Sequence, residues 1–77
     1  MNFQITEIFI EEIKYLIKEK KEIEIKSLLE DKYPQDIAEI ISKINLEDGK
    51  YLFELLKKKS QEIFIELDNE LREKILL

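Results

Sequence analysis

The sequence predicts an all-α protein of about six short antiparallel helices, on three observations. Apolar residues recur at spacings of three and four along most of the 77-residue chain, which is the period of an amphipathic helix. Residues that favour helix ends separate these stretches, so the links between helices are short. The chain has one Gly and one Pro, too few for a collagen-like or low-complexity protein.

The composition excludes several classes of function. Without Cys or His, the chain lacks disulfides, thiolate metal ligands and the usual general base near neutral pH. Thirteen basic residues against eighteen acidic ones give a net charge of −5, and Arg72 is the single arginine, so we expect no nucleic-acid partner. The longest apolar run is three residues, so we expect a soluble segment that does not enter a membrane. No nucleophile motif or Gly-rich loop is present, and we expect no enzymatic activity.

The first two helices are predicted at residues 4–19 and 22–31. One face of the first helix is apolar, and we expect it to pack on the second and third helices: Ile5, Ile8, Phe9, Ile13, Leu16 and Ile17. The second helix is expected to bury Ile25, Leu28 and Leu29. The alternation at 22–26 also fits a strand, but no partner strand exists and an isolated strand is not stable.

A boundary at Tyr33 and Pro34 begins the third helix, predicted at 34–43. Proline is favoured at the first helical position, and it pushes the residue before it out of the helical conformation. Asp36 follows in the first turn, where a carboxylate suits the positive end of the helix dipole. One face of this helix is apolar: Ile37, Ile40, Ile41 and Ile44.

The fourth helix is predicted at 46–58, with Asn45 as its N-cap. We expect the lysines at 57–59 to stabilise the negative C-terminal dipole of this helix. Gly49 costs about 1 kcal/mol relative to Ala inside a helix, so we expect another helix to approach closely there.

Two further helices are predicted, at 61–67 with Ser60 as the cap and from 69 onward with Asp68 as the cap. The caps Asn45 and Asp68 lie 23 residues apart, which is a weak repeat of helical hairpins. Short helices with short links favour stacking as an α-solenoid, or superhelix, over a four-helix bundle.

We expect residues 1–77 to form a single helical domain that is truncated at its C-terminus. The last three residues are apolar and lack a polar cap, which a solenoid end needs. We therefore expect self-association through Leu71, Ile75 and Leu76.

Two groups of side chains invite a ligand-binding interpretation. The carboxylate pairs Asp36/Glu39 and Glu62/Glu66 each share a helix face, but solvated surface or helix-end stabilisation is the simpler interpretation. The aromatic side chains are expected in the core and not in a pocket: Tyr33, Tyr51, Phe53 and Phe64. We assign no catalytic, cofactor-binding or metal-ligating residue.

The stretch 28–41, with Pro34-Gln35-Asp36-Ile37-Ala38-Glu39 at its centre, resembles the N-terminal cytosolic domain of MgtE-type magnesium transporters. Further segments that fit this pattern are Asn45-Leu46-Glu47-Asp48, Leu55-Leu56, Glu66-Leu67-Asp68 and 71–76. The resemblance covers about residues 22–77, with the first helix as a lead-in. Tyr33 stands where the family commonly has His.

The resemblance implies a regulatory and gating segment of a magnesium transporter. In this family a superhelical N-terminal domain precedes paired CBS domains and a dimeric transmembrane pore, at the cytoplasmic face of the bacterial inner membrane. Regulatory Mg²⁺ bound between the cytosolic domains favours the closed pore. The implied partners are therefore the CBS domains of the same full-length chain and a second copy in a homodimer. The family's acidic ligands lie mainly beyond Leu77, so none is assigned here.

An alternative from a different class stays open. Helical repeats also serve as protein–protein interaction modules, and the flagellar motor-switch proteins are similar in helical arrangement. Such a scaffold would bind a partner protein without any role in ion transport.

Overall fold

The computed structural model describes residues 4–76, which form six α-helices and one turn of 3-10 helix. The helices are α1 (Glu7–Lys18), α2 (Glu22–Leu29), α3 (Pro34–Ser42), α4 (Leu46–Leu55), α5 (Ser60–Glu66) and α6 (Asn69–Leu76), and the 3-10 turn is Lys57–Lys59. The all-α prediction is confirmed. All six predicted helices are present, and the ends that we predicted lie within three residues of the observed ones.

Three helices begin at a side chain that accepts a hydrogen bond from the first turn. Thr6 Oγ1 accepts from the Phe9 amide at 3.1 Å, and Asn45 Oδ1 accepts from the Asp48 amide at 2.8 Å. Asp68 Oδ1 accepts from the Leu71 amide at 2.8 Å. Each bond satisfies an amide that has no partner within the helix. The caps predicted at Asn45 and Asp68 are confirmed.

Lys20, two residues after the last residue of α1, has a left-handed backbone with φ of 56°. The Lys20 amide donates to the Ile17 carbonyl and the Lys21 amide to the Leu16 carbonyl, each at 3.0 Å. This pair of bonds is a Schellman motif, which satisfies the last carbonyls of a helix and turns the chain. Helix α2 therefore begins at once and packs against α1.

The predicted cap at Ser60 is wrong. Ser60 has φ of −58° and ψ of −39°, which is helical, and it is the first residue of α5. An N-cap residue has an extended backbone, but the 3-10 turn at 57–59 leads into α5 without one. The lysines at 57–59 belong to that turn and not to α4, which ends at Leu55.

One apolar core joins all six helices. Its buried residues are Ile10, Ile13, Ile17, Ile25, Leu29, Ile37, Ala38, Ile40, Ile41, Leu52, Leu56, Ile63, Leu67 and Ile75. The expectation for Ile8 is wrong, because its side chain is 81% exposed and Ile10 lies in the core instead. Helix α1 turns the stripe of Ile10, Ile13 and Ile17 inward, towards α2 and α4.

Helix α4 lies at the centre of the helix packing, since it contacts α1, α3, α5 and α6. The most extensive pairing joins α3 to α5, and α1 packs on α2 and α4 where we expected α2 and α3. The radius of gyration is 11.4 Å and the extents are 29 × 27 × 23 Å. A compact domain of this length has a radius of gyration of about 11.5 Å, so residues 4–76 form a globule.

The close approach predicted at Gly49 is confirmed. A Cβ atom at this buried position would lie 3.1 Å from Cγ2 of Ile41. Ile41 itself is 1% exposed, so it has little room to move away. The absence of a side chain at Gly49 lets α4 pack closely on α3.

Candidate functional site

The two carboxylate pairs from the sequence lie on helices that pack together. Asp36 and Glu39 are on α3, and Glu62 and Glu66 are on α5. Glu39 and Glu66 line one shallow depression of about 220 Å³, together with Asp68. The fold thus brings one member of each pair to the same surface.

This acidic surface is not a complete metal site. Among residues 4–76, no group of three or more carboxylates is arranged to hold a metal ion. The Asp68 carboxylate also accepts the Leu71 amide, so it already stabilises the start of α6. Glu39 and Glu66 are left as exposed carboxylates on neighbouring helices.

The aromatic residues divide between core edge and surface. The rings of Phe53 and Phe64 pack on the core with their centroids 6.3 Å apart. Tyr33 is 70% exposed, so its predicted place in the core is wrong. It precedes Pro34 with an extended backbone and lies outside the helical turns of α3.

Tyr51 carries a buried polar atom without a partner. Its hydroxyl oxygen has no hydrogen bond among residues 4–76, although it is shielded from solvent. Desolvation raises the pKa of Tyr51, and the Glu22 carboxylate raises it further. The Lys20 ammonium lies 4.5 Å from the ring centroid, which is a cation–π contact. The contact between Tyr51 and Lys20 therefore joins α4 to the turn between α1 and α2.

A groove lined by lysines lies between α2 and the end of α4. Its volume is about 600 Å³, and its lining residues are Lys26, Glu30, Leu55, Leu56, Lys57, Lys58 and Lys59. Leu56 is buried and Leu55 is partly exposed, so the groove has apolar surface between its charged walls. Four lysines and one glutamate make it basic, in a chain whose net charge is −5.

Lys59 ties the 3-10 turn to the end of α2. Its ammonium nitrogen donates to the carbonyl of Lys32 at 2.9 Å and to the carbonyl of Glu30. The Glu30 carbonyl belongs to the C-cap of α2, where helix geometry leaves it without an amide partner, and the Lys32 carbonyl lies two residues further on. The ammonium of Lys32 pairs in turn with Asp31 at 3.1 Å, and this bond lowers the pKa of Asp31.

Arg72 makes a similar tie at the end of α5. Its Nε donates to the Phe64 carbonyl at 3.0 Å, and its Nη2 donates to the carbonyl of Ile65. The guanidinium carbon also lies 5.8 Å from the centroid of the Phe64 ring. The single arginine thus holds α6 against α5.

The sequence interpretation missed the lysine groove. Lys57, Lys58 and Lys59 were conspicuous as a run, but they were assigned to the dipole of α4. Lys26 lies on another helix more than thirty positions earlier, and no pattern in the sequence connects it to that run. The juxtaposition depends on the packing of α2 near the end of α4.

Comparison of the chain with protein-family models, curated proteins and solved structures finds no significant match. Within residues 4–76, no helix combines the length and the apolar character that a membrane crossing requires.

Proposed function

We propose that this chain is a regulatory segment of an MgtE-type magnesium transporter at the cytoplasmic face of a bacterial inner membrane. It acts by docking to CBS domains of the same full-length chain, within a homodimer, and not by catalysis. The observation that carries this proposal is the placement of the Pro34–Glu39 motif. The motif forms the first turns of α3, with Glu39 on the same depression as Glu66.

The helix contacts support the superhelical part of the proposal. Helices two apart in the sequence pack together, namely α3 with α5 and α4 with α6. Stacked helical hairpins make contacts of this kind. In the proposed full-length protein, further helices continue this stacking beyond α6.

A complete regulatory Mg²⁺ site includes ligands from outside this segment, and the segment alone provides a weak, partial site. The carboxylates of residues 4–76 do not form a group that fits a metal ion by themselves. Mg²⁺ commonly keeps several waters and uses one or two carboxylates. In our proposal Glu39 and Glu66 provide such carboxylates, and a second domain supplies the remaining oxygen atoms.

A Mg²⁺ titration followed by ¹⁵N–¹H NMR tests this proposal. We expect saturable shifts in the millimolar range at residues of α3 and α5 that flank Glu39 and Glu66. The variant Glu39→Gln/Glu66→Gln removes both charges, and we expect it to abolish these shifts. The matched control is Glu12→Gln/Glu54→Gln, which removes two exposed charges from α1 and α4 and leaves the shifts in place.

Parallel titrations with CaCl₂ and NaCl separate a Mg²⁺ site from general screening. Shifts that are diffuse, unsaturated and reproduced by NaCl would contradict a regulatory site on this surface. Equal behaviour of the two double variants would contradict it as well.

The second candidate is a helical interaction module without a role in ion transport. The observation that favours it is the lysine groove, which no part of the magnesium proposal uses. The sequence of the full gene distinguishes the two candidates. CBS domains followed by hydrophobic helices support the transporter, whereas further helical repeats without a membrane span support the scaffold.

A further inference from the structure

The lysine groove concentrates positive charge on an acidic protein. The chain carries eighteen acidic and thirteen basic residues, yet the groove is lined by four lysines and only one glutamate. Charge that is concentrated in a concave site attracts a ligand of opposite sign more strongly than the net charge suggests. The groove is thus suited to an anionic partner.

Three of these lysines have no partner within the described chain. Across residues 4–76, the ammonium groups in ion pairs belong to Lys14, Lys21, Lys32 and Lys74. Those of Lys26, Lys57 and Lys58 make no such pair, and no other contact accounts for them. They are available to an external carboxylate.

The fourth lysine gives the groove a fixed wall. Lys59 bonds to the carbonyls of Glu30 and Lys32, so the 3-10 turn is held in place against α2. A site that is already ordered loses less conformational entropy when a ligand binds. Lys57 and Lys58 precede Lys59 in the same turn, so their backbone is held by this contact.

We propose that this groove binds an acidic, amphipathic peptide segment of a partner protein. Carboxylates of the peptide pair with Lys26, Lys57 and Lys58, and an apolar side chain of the peptide packs on Leu55. A groove of about 600 Å³ falls within the range of ligand pockets, about 300–1,000 Å³. It accommodates a short segment with one or two inserted side chains.

Charge and shape favour a peptide over a nucleic acid or a membrane. Nucleic-acid sites combine basic residues with arginine forks or aromatic stacking, but here the groove is aliphatic and Arg72 is bonded to α5. An anionic membrane surface attracts clusters of about four to eight Lys or Arg, whereas this groove has three lysines that are unpaired within residues 4–76, on a chain of net charge −5. A flexible peptide segment with spaced carboxylates matches both the basic charge and the concave shape of the groove.

The first test is a fluorescence-anisotropy titration of the full chain with a labelled peptide of sequence Glu-Glu-Leu-Glu-Glu-Leu-Glu-Glu. We expect saturable binding with a Kd below about 1 mM at 50 mM salt, which weakens as salt rises. The same peptide with Gln in place of Glu should bind at least about tenfold more weakly, since it cannot pair with the lysines. Amide shifts in ¹⁵N–¹H NMR should centre on residues 26 and 55–58.

Two double variants separate the effect of the groove lysines on binding from the effect of net charge. Lys57→Glu/Lys58→Glu reverses the groove wall, and we expect it to weaken binding at least about tenfold. Lys18→Glu/Lys43→Glu changes the net charge by the same amount at exposed lysines outside the groove, and we expect less than about a threefold loss. Circular dichroism establishes that both variants keep their helices.

Three results would overturn the proposal. The first is an absence of saturable peptide binding, and the second is an equal loss in the two double variants. The third is tighter binding, dependent on the groove lysines, to phosphatidylserine vesicles or to oligo-dT than to the peptide.

Discussion

The ammonium nitrogen of Lys59 lies 2.9 Å from the carbonyl oxygen of Lys32, and it also donates to the carbonyl of Glu30. A residue after α4 therefore completes the end of α2, across 27 positions of sequence. This contact joins the two sides of the lysine groove and makes the groove's shape dependent on one side chain.

We expect Lys59→Met to lower the free energy of unfolding by about 1–2 kcal/mol. The methionine keeps an apolar stem but leaves the carbonyls of Glu30 and Lys32 without their charged donor. The matched control is Lys58→Met, at an exposed neighbour, which should change stability by less than about 0.5 kcal/mol. Urea unfolding followed by circular dichroism measures the free energy of unfolding of both variants. Similar losses in the two variants would show that the hydrogen bonds of Lys59 contribute nothing to stability.

We expect Gly49→Ala to destabilise the protein, although alanine is the better helix former by about 1 kcal/mol. The new Cβ atom would meet Cγ2 of Ile41 at 3.1 Å, and Ile41 is fixed in the core. In the Ile41→Leu background this methyl group is absent, so the same substitution should become neutral or stabilising. A double-mutant cycle with a coupling energy of about 0.5 kcal/mol or more supports the contact. An additive cycle would contradict it.

We expect Tyr51→Phe to leave the free energy of unfolding at neutral pH unchanged, or to raise it by up to about 1 kcal/mol. The substitution removes a shielded hydroxyl that has no hydrogen bond among residues 4–76. The ring stays in place beneath the ammonium of Lys20. A clear destabilisation would indicate that the hydroxyl has a partner in the folded protein.

The same residue predicts a specific response to alkaline pH. The folded-state pKa of Tyr51 is raised above its ordinary value of 10.0, so the folded protein holds this proton more tightly than the unfolded chain does. The resulting stability is complete below about pH 10 and is lost as the pH rises through the folded-state pKa. We expect wild-type stability to decline more steeply than that of Tyr51→Phe above this pH. The control variant Tyr33→Phe, at a side chain that is 70% exposed, should keep the steep decline.

We expect Ile10→Ala to lower the free energy of unfolding by about 2–4 kcal/mol, because it opens a cavity beside α2 and α4. The same change at Ile8, which is 81% exposed, should cost less than about 0.5 kcal/mol. Thermal or urea unfolding of the two variants compares them directly. A larger loss of stability for Ile8→Ala than for Ile10→Ala would mean that α1 buries the face that contains Ile8, as the sequence analysis predicted.

Local chemistry made much of the fold predictable. Asn45 and Asp68 bond to amides three residues later, and Pro34 fixes its own φ angle, so each marks a helix start through its immediate neighbours. Gly49 was also informative, since an unfavourable residue in a helix indicates a packing reason. These signals required no knowledge of the tertiary structure.

The errors arose where the answer depends on what a helix packs against. Ile8 lies three residues after Ile5, and Ile10 lies three residues before Ile13, so each has an apolar neighbour at a helical spacing. The contact of α1 with α2 and α4 selects Ile10. Ser60 resembled a cap, but the 3-10 turn before it keeps the backbone helical. The lysine groove was unpredictable for the same reason, because its walls come from segments far apart in the chain.

The end of α2 is stabilised by a residue far along the chain, and this affects folding during translation. Residues are added from the N-terminus at about 5–20 per second, so α2 is synthesised on the order of seconds before Lys59 is added. During that interval water must bond the carbonyls of Glu30 and Lys32, which Lys59 later occupies. A nascent chain therefore completes the end of α2 only when the segment that carries Lys59 has been translated and has folded back onto it.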